Sequence, residues 1–362
     1  MTGAGRATGT GAVPGSSRLE NLAPNQTPGL VCAHHHLYSV LARGMPAPPV
    51  TPTDFVGLLE QVWWRLDQAL DLEIIAAAAR LGALEALEAG CTAIVDHHES
   101  PDAIDGSLSA IADACAEVGV RVMTAYGVTD RHGPVGRDAG LAECARFISD
   151  GGPGMVGLHA AFTCEADTIA AAAELAQSLG VGVHVHVCED LVDADAVERL
   201  AGHTTDDWIL VHCVHLPTDH GLSGTIIHNP RSNMNNAVGY AHPTRFTNPV
   251  ALGSDGIGAS MLDEFRVAFA RLRESDVTAS PDTAWAWLEG GWSLMPEARN
   301  DVVTWSYPEM DAWHLAYTTD VRPLSIVVDG VEVLTDGAVT RVDADQIRAH
   351  AAEAASRLFE RL

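Results

Sequence analysis

Residues 155–187 read MVGLHAAFTCEADTIAAAAELAQSLGVGVHVHV, and this stretch decides the fold class. Two short apolar runs, Met155–His159 and Val181–Val187, flank the segment Ala166–Leu179, in which apolar residues recur with the period of an α-helix. A strand, a helix and a second strand in this order predict two parallel strands joined by a right-handed crossover.

The same unit recurs along most of the chain. Eight apolar runs are predicted strands: Leu30–Ala33, Cys91–Asp96, Val120–Val128, Met155–His159, Val181–Val187, Trp208–Val211, Gly224–Ile227 and Val250–Gly253. Helical segments lie between most of them: Phe55–Ala89, Ile104–Glu117, Ala139–Ile148, Ala166–Leu179, Ala194–Leu200 and Leu262–Arg273. Eight such units in about 245 residues predict an α/β fold of the (β/α)8 TIM-barrel type. A doubly wound sheet is the main competitor, but it usually has fewer strands and a GxGxxG motif after the first one.

The chain divides into four predicted parts. They are a disordered leader (1–27), the barrel (28–300), a small β appendage (301–342) and a C-terminal helix (343–362). The leader is rich in Gly, Thr, Ser and Pro and has few large apolar residues to bury. After Arg273 we expect irregular, Trp-containing sequence before the appendage, whose Asp329-Gly330 pair predicts a two-residue hairpin turn. Because only the leader precedes Pro28, we expect this appendage to be truncated.

Composition excludes several classes of function. The formal net charge is −27, which argues against nucleic acid or an anionic membrane surface as a partner. All 21 basic residues are Arg. Without Lys, the chain cannot use a Lys Schiff base, a P-loop Lys or a carbamylated Lys that bridges two metal ions.

The cysteines and the N-terminus indicate in which cellular compartment we expect the protein. The 7 Cys include no CxxC pair, which is typical of reduced, buried thiols. The N-terminus lacks the basic and apolar regions of a signal peptide, and no apolar run reaches the roughly 18 residues that span a bilayer. We therefore expect a cytoplasmic protein with no membrane partner, and homo-oligomerisation stays open.

Histidines gather at the carboxyl ends of the predicted strands, where barrel enzymes build their active sites. His34 and His36 follow the first run, and alternation along a strand places them on one face with His35 on the other. His184 and His186 share a face within the fifth run, and Glu189 lies just beyond its end. His212 ends the sixth run and Asp255 follows the eighth. Imidazole and carboxylate together are ligands for Zn²⁺ or Fe²⁺, so the pattern predicts one metal site at this rim.

Each of these residues also has a structural interpretation. A single strand His is usually a buried, hydrogen-bonded core residue, and an Asp after a strand is usually a helix cap. Capping alone does not explain ligand-type residues after four strands together with a Glu three residues beyond His186. The joint occurrence favours the metal site.

These motifs resemble the amidohydrolase superfamily, and within it the branch of cyclic-amidine deaminases and chlorohydrolases, including aminohydrolases of that branch. The similarity lies in Pro28-Gly29-Leu30 before His34-x-His36, in His186-x-x-Glu189, in His212-Cys213 and in Ser254-Asp255-Gly256. Further matching motifs are Trp63-Trp64-Arg65-Leu66-Asp67, Asp96-His97-His98, Gly157-Leu158-His159-Ala160 and His228-Asn229-Pro230-x-Ser232-Asn233.

The resemblance implies one Zn²⁺ or Fe²⁺ held by His34, His36, His186 and Asp255. It also implies that Glu189 shuttles a proton to the substrate ring and that His212 stabilises the attacking hydroxide or the tetrahedral centre. A bound metal supplies hydroxide near neutral pH, and Asp255 can take a proton from that water.

Three further residues are candidates for contact with substrate. His98 ends the second strand; it either contacts substrate or supports His34 and His36 by hydrogen bonding. His159 ends the fourth strand and has the same two interpretations. Trp64, on the first long connection, is either a core residue or a surface on which a flat ring stacks.

The sequence therefore predicts a metal-dependent hydrolase that attacks a carbon–nitrogen bond of a small heterocyclic substrate, most often by deamination. One alternative is the removal of another leaving group, such as a ring amide or a halide, on the same scaffold. A second is a degenerate barrel with a structural or partner-binding role. The substrate, the choice between Zn²⁺ and Fe²⁺ and the oligomeric state stay open.

Overall fold

A parallel barrel of eight strands forms the body of the protein. The computed structural model describes residues 22–362. A two-residue strand β1 (Gln26–Thr27) precedes the barrel strands, which are β2 (Leu30–His35), β3 (Cys91–His98), β4 (Arg121–Val128), β5 (Val156–Ala160), β6 (Val183–Val187), β7 (Ile209–His212), β8 (Thr225–His228) and β9 (Val250–Leu252). Neighbours in sequence are neighbours in the sheet, and all pairs are parallel. The predicted barrel and its eight strands are confirmed.

The barrel closes where its last strand meets its first. His35 and Asp255 form a parallel bridge between the ends of β2 and β9, and the amide nitrogen of Ser254 donates to the carbonyl of His34 at 3.0 Å. Small and branched side chains such as Val31, Ala93 and Ile227 fill the interior below this point. The two segments that carry the predicted ligands His34 and Asp255 are therefore hydrogen-bonded to each other.

The described residues contain twelve α-helices. They are α1 (Phe55–Leu58), α2 (Trp64–Gln68), α3 (Leu72–Glu88), α4 (Ser107–Val118), α5 (Gly133–Ser149), α6 (Ala166–Leu179), α7 (Ala196–Leu200), α8 (Pro230–Asn235), α9 (Met261–Ser275), α10 (Pro281–Leu294), α11 (Ala312–Leu315) and α12 (Ala344–Phe359). The predicted continuous segment Phe55–Ala89 is interrupted: a π-helical turn joins α1 to α2, and Asp71 caps a new helix, α3. Within residues 22–362 no helix has the length and apolarity needed to cross a membrane.

The expected irregular region after Arg273 contains a regular helix instead. Helix α10 carries three of the Trp residues and packs against β2 and β9. Its contact face is built from Gly290 and Gly291: a Cβ at Gly290 would lie 2.1 Å from the carbonyl oxygen of Val250, and one at Gly291 would lie 2.8 Å from the Cβ of Val31. Glycine and aromatic residues obscure the helical period in the sequence, and close packing on the barrel stabilises the helix.

The β appendage is a five-stranded antiparallel sheet. Its remaining strands are β10 (Val302–Trp305), β11 (Pro323–Val328), β12 (Val331–Thr335) and β13 (Ala338–Val339), in the order β1-β10-β11-β12-β13. Asp329 and Gly330 have φ angles of 51° and 77°, as a two-residue hairpin turn requires. The C-terminal helix begins after Asp343, whose side chain accepts a hydrogen bond from the Gln346 amide at 3.0 Å.

The boundary predicted for the leader is wrong at its last residues. Gln26 and Thr27 pair with Thr304 and Val303 and add an edge strand to the appendage. The hydroxyl of Thr27 also accepts a hydrogen bond from the indole Nε1 of buried Trp305 at 2.9 Å. Residues 1–21, the rest of the predicted leader, lie outside the described residues. The polar composition hid β1, because a two-residue edge strand needs no apolar run of its own.

Candidate active site

Four side chains of ligand type converge at the carboxyl end of the barrel. One ligand atom from each of His34, His36, His186 and Asp255 lies within 4.8 Å of all the others, and the four residues are buried. The Nε2 atom of His186 is 3.3 Å from Nε2 of both His34 and His36, and Oδ1 of Asp255 is 3.1 Å from the same two nitrogens. The structure thus brings together all four predicted ligands.

A break in strand regularity places the first two histidines. The interior of the barrel receives Val31 and Ala33, so simple alternation would put His35 inside as well. The pairing of β2 with β3 shifts register between Cys32 and His35. This irregularity turns His34 and His36 inward, and the His35 ring instead hydrogen-bonds the backbone oxygen of Asp255. His35 stays outside the cluster, as predicted.

The outer nitrogen of each clustered histidine has its own hydrogen-bond partner. Nδ1 of His34 lies 2.9 Å from Nε2 of His184, Nδ1 of His36 lies 2.6 Å from the carbonyl of His97, and Nδ1 of His186 donates to the carbonyl of His159. These contacts leave the three Nε2 lone pairs facing one another and the Asp255 carboxylate. Lone pairs and a carboxylate at this separation repel unless a cation lies between them, so the residues fit a divalent metal ion.

His212 and Glu189 lie beside this cluster. Nε2 of His212 is 3.4 Å from Oε2 of Glu189 and 4.0 Å from Oδ2 of Asp255, and its Nδ1 lies 2.8 Å from Oδ1 of Asn233. Burial raises the pKa of Glu189, and a raised pKa favours the protonated form that a proton donor needs. Although burial opposes it, hydrogen bonding with His34 and His36 holds the pKa of Asp255 well below its ordinary value.

The backbone is strained at the points that carry these groups. Cys188, His212 and Asp255 have φ angles of 47°, 69° and 57°, in the left-handed region that side chains other than Gly rarely adopt. Cys188 directly precedes Glu189, and His212 and Asp255 are themselves residues of the site. Such strain is common where function fixes the direction of a side chain.

A cavity of about 450 Å³ opens above the cluster. His36, His186, Glu189, His212 and Asp255 form part of its floor. Aromatic and apolar side chains form much of its wall: Tyr38, Val40, Phe55, Leu59, Trp63, Trp64 and Phe162. The volume suits a molecule of drug or nucleoside size.

Two of the three residues predicted to contact substrate line this cavity, and one does not. Trp64 and His159 lie on its wall, with ring centroids 6.2 Å apart. His98 is fully buried outside it, and its Nε2 lies 2.9 Å from the hydroxyl of Ser100. The substrate contact proposed for His98 is therefore wrong. Ala93 and Val95 face the barrel interior, so alternation places His97 inside and His98 outside, and it is His97 that supports His36.

A buried charged group on the cavity wall was missed from the sequence. Asp67 and Glu99 both line the cavity, and Nη2 of Arg131 lies 3.1 Å from Asp67 and 2.6 Å from Glu99. Burial and the neighbouring Glu99 raise the pKa of Asp67 to about 8. Asp67 belongs to one of the quoted motifs, but the motif gives no sign that a distant Glu and Arg pack against it.

Comparison with protein families settles the relationship. The model of the Amidohydrolase family matches residues 26–288. The chain belongs to the amidohydrolase family. Family membership and the His/Asp cluster together identify a metal-dependent hydrolase and confirm the resemblance drawn from the sequence motifs.

Several relatives in this family are named deaminases. The chain is 30% identical to a 5′-deoxyadenosine deaminase of Methanopyrus kandleri over 67% of its own length and 60% of the relative's. It is 28% identical to a 5-methylthioadenosine/S-adenosylhomocysteine deaminase of Symbiobacterium thermophilum over 98% and 91%. It is 27% identical to an 8-oxoguanine deaminase of Pseudomonas aeruginosa over 96% and 90%.

Solved structures of this amidohydrolase fold superpose on the chain. An adenosine deaminase from Xanthomonas campestris with bound zinc gives a TM-score of 0.76 at 19% identity and covers 92% of this chain and 85% of that one. A zinc complex of an atrazine chlorohydrolase from Arthrobacter aurescens gives 0.75 at 21% identity, with coverages of 91% and 88%. At these identities the likeness establishes the fold.

Proposed function

We propose that this amidohydrolase is a mononuclear aminohydrolase that releases ammonia from a flat, neutral heterocycle. The observation that carries the proposal is the convergence of His34, His36, His186 and Asp255 beside Glu189 and His212 on the floor of one cavity. Three imidazoles and one carboxylate form the donor set of a single ion, and the absence of Lys removes a common bridge between two ions.

The proposed metal is Zn²⁺, held by Nε2 of the three histidines and by the Asp255 carboxylate. Zinc is present in the adenosine deaminase and the atrazine chlorohydrolase that share this fold. Fe²⁺ accepts the same ligands, and elemental analysis separates the two. When bound, such an ion lowers the pKa of a coordinated water toward about 7.

Two side chains of this protein transfer protons, and a third stabilises the reacting centre. Asp255 takes the proton from the attacking water, because it lines the cavity and its Oδ2 lies 4.0 Å from Nε2 of His212. Glu189, which lies three residues beyond His186, gives a proton to the ring nitrogen of the substrate as general acid. His212 stabilises the attacking hydroxide or the tetrahedral centre, since its Nε2 lies 3.4 Å from Glu189 and 4.0 Å from Asp255.

The charges of the cavity limit the class of substrate. Acidic side chains are Asp67, Glu99, Glu189, Asp190, Asp193 and Asp255, whereas Arg43 is the one Arg among the described lining residues, and it pairs with Glu85 at 2.7 Å. A phosphorylated or otherwise anionic substrate would find no unpaired Arg in this lining. The aromatic wall favours a flat ring, and several relatives are named for nucleoside or purine deamination.

Ammonia release is the direct test. Zinc-loaded protein is incubated with purines, pyrimidines, pterins, triazines and adenine nucleosides, and metal-free protein and Glu189→Gln serve as controls. We expect ammonia from at least one neutral ring and none from the matching 5′-phosphate. Release of another leaving group without ammonia would show that the enzyme hydrolyses a different bond and is not a deaminase. A protein that neither binds metal nor turns over any ring would indicate a degenerate barrel.

A further inference from the structure

One short helix carries a hydrogen-bonding residue for each group that moves a proton. The residues Ser232, Asn233 and Asn236 lie on or directly after α8, which follows β8. The Ser232 hydroxyl donates to Oδ2 of Asp255, Asn233 pairs with Nδ1 of His212 at 2.8 Å, and Nδ2 of Asn236 donates to Oε1 of Glu189 at 3.2 Å.

We propose that Asn236 is a positioning residue that fixes the orientation of the Glu189 carboxyl group for proton transfer. This inference rests on the proposed function, because it assumes that Glu189 is the proton shuttle. In this role the Asn236 amide determines which oxygen of the Glu189 carboxyl group faces the reacting atoms.

Two further contacts agree with the direction of this hydrogen bond. Nδ2 of Asn235 donates to Oδ1 of Asn236 at 3.1 Å, and Nδ2 of Asn236, which faces Glu189, also lies 3.5 Å from the hydroxyl oxygen of Ser232. A carboxyl oxygen that accepts from this N–H is the poorer site for the acidic proton. The proton of Glu189 is therefore directed to Oε2, the oxygen 3.4 Å from His212.

Glu189 depends on this contact because it has little other support. Among residues 22–362 the Asn236 amide is its one hydrogen-bond donor, and the backbone directly before it is in the left-handed conformation at Cys188. The carboxyl group projects from a strand end into the cavity. Without a donor on Oε1, the side chain is free to rotate away from His212.

The helix that holds Asn236 is itself anchored to the loop of Asp255. The guanidinium of Arg231 pairs with fully buried Glu264 of α9, and its Nη2 donates to the carbonyl of Ile257 at 2.8 Å. This anchor joins α8 to α9 and to the loop that follows β9. A rigid helix can hold a carboxyl group in one orientation more accurately than a loop can.

The test compares Asn236→Leu with Asn236→Gln and with a control on the same helix. Leu has nearly the shape of Asn but no donor, so we expect kcat to fall about 10–100-fold with full metal content and KM within about threefold. Gln keeps a donor and should recover part of the loss. Met234→Ala changes an exposed residue of α8 outside the cavity and should leave both constants unchanged.

A double variant tests whether Asn236 acts through Glu189. In the Glu189→Gln background, Asn236→Leu should cause less than about a twofold further loss, because the group it orients is gone. An equal loss in both backgrounds, a rise in KM with unchanged kcat, or loss of metal from Asn236→Leu would each overturn the proposal. The first would mean that Asn236 acts independently, and the second that it binds substrate.

A crystal structure of zinc-loaded Asn236→Leu gives a readout that does not need turnover. The proposal predicts that the Glu189 carboxyl group turns away from Nε2 of His212 while the four metal ligands stay in place. An unmoved Glu189 would overturn the positioning role. If the wild-type protein deaminates nothing yet Glu189 moves in the variant, the positioning role stands and the proposed function is what fails.

Discussion

Nδ1 of His34 lies 2.9 Å from Nε2 of His184, and both rings are fully buried at the end of the barrel. Burial lowers the pKa of His184 to about 3, so its ring is neutral near pH 7. A metal ligand role for Nε2 of His34 requires the proton on Nδ1, which then donates to His184. This contact fixes both the tautomer and the direction of the His34 ring.

We predict that His184→Leu weakens metal binding by about 10–100-fold, because it removes the acceptor that holds the His34 proton in place. Competition with a chromophoric chelator measures this affinity. His228→Leu is the matched control, since His228 is an equally buried histidine at the end of β8 whose ring nitrogens make no hydrogen bond within the described structure. Equal affinities in both variants would show that His184 does not support the ligand.

Glu189→Gln should keep the metal and the fold but lose turnover. General acid–base groups contribute about 10²–10⁴-fold, so kcat should fall at least by that factor. Metal content and rate are measured on the same samples, and His212→Asn should likewise retain metal and react slowly. A metal-free Glu189→Gln protein would make Glu189 a ligand, and a fully active one would place the proton shuttle elsewhere.

The Asp67 carboxyl group should make stability depend on pH. Its folded-state pKa of about 8 lies above that of an unfolded Asp, so between about pH 4 and pH 8 the folded protein binds more protons than the unfolded chain. Its contribution to the free energy of unfolding therefore falls as pH rises through this window. Asn resembles the protonated form, so Asp67→Asn should gain stability relative to the wild type from pH 5 to pH 8.

Chemical denaturation at several pH values measures this difference, with Asp138→Asn as the control because that carboxyl side chain is 65% exposed. Parallel stability curves for Asp67→Asn and the wild type would contradict a proton held on Asp67.

Thr27→Val tests whether the appendage depends on the edge strand β1. Val has the shape of Thr but cannot accept the hydrogen bond from the indole of Trp305, which is 1% exposed. A buried donor left without a partner costs about 1–3 kcal/mol in the free energy of unfolding. Urea unfolding should show this loss, whereas Ser178→Ala, which removes an exposed hydroxyl on α6, should be nearly neutral. Equal stabilities would mean that β1 contributes little.

Most of the site could be predicted because its residues follow strand ends, and strand ends are visible as the boundaries of apolar runs. His186 lies near the end of such a run, His212 directly follows one, and Asp255 comes two residues after one. Strict alternation along a strand could not predict which side chains point into the barrel where a strand is irregular. The register shift in β2 turns His34 and His36 inward, and alternation along β3 points His98 outward.

Contacts between segments that lie far apart in the chain also could not be predicted from the sequence. Asp67, Glu99 and Arg131 come together only because three different connections end at the same rim. Helix α10 and strand β1 are stabilised by packing on the barrel and on β10, and their own composition predicts neither.

Titration of metal-free protein with Zn²⁺, followed by ammonia release from the best substrate, tests the central claim most directly. The four-residue cluster predicts that activity rises linearly and stops at one equivalent of zinc per chain. Activity in the metal-free protein, or a rise that continues to two equivalents, would contradict a single catalytic ion held by His34, His36, His186 and Asp255.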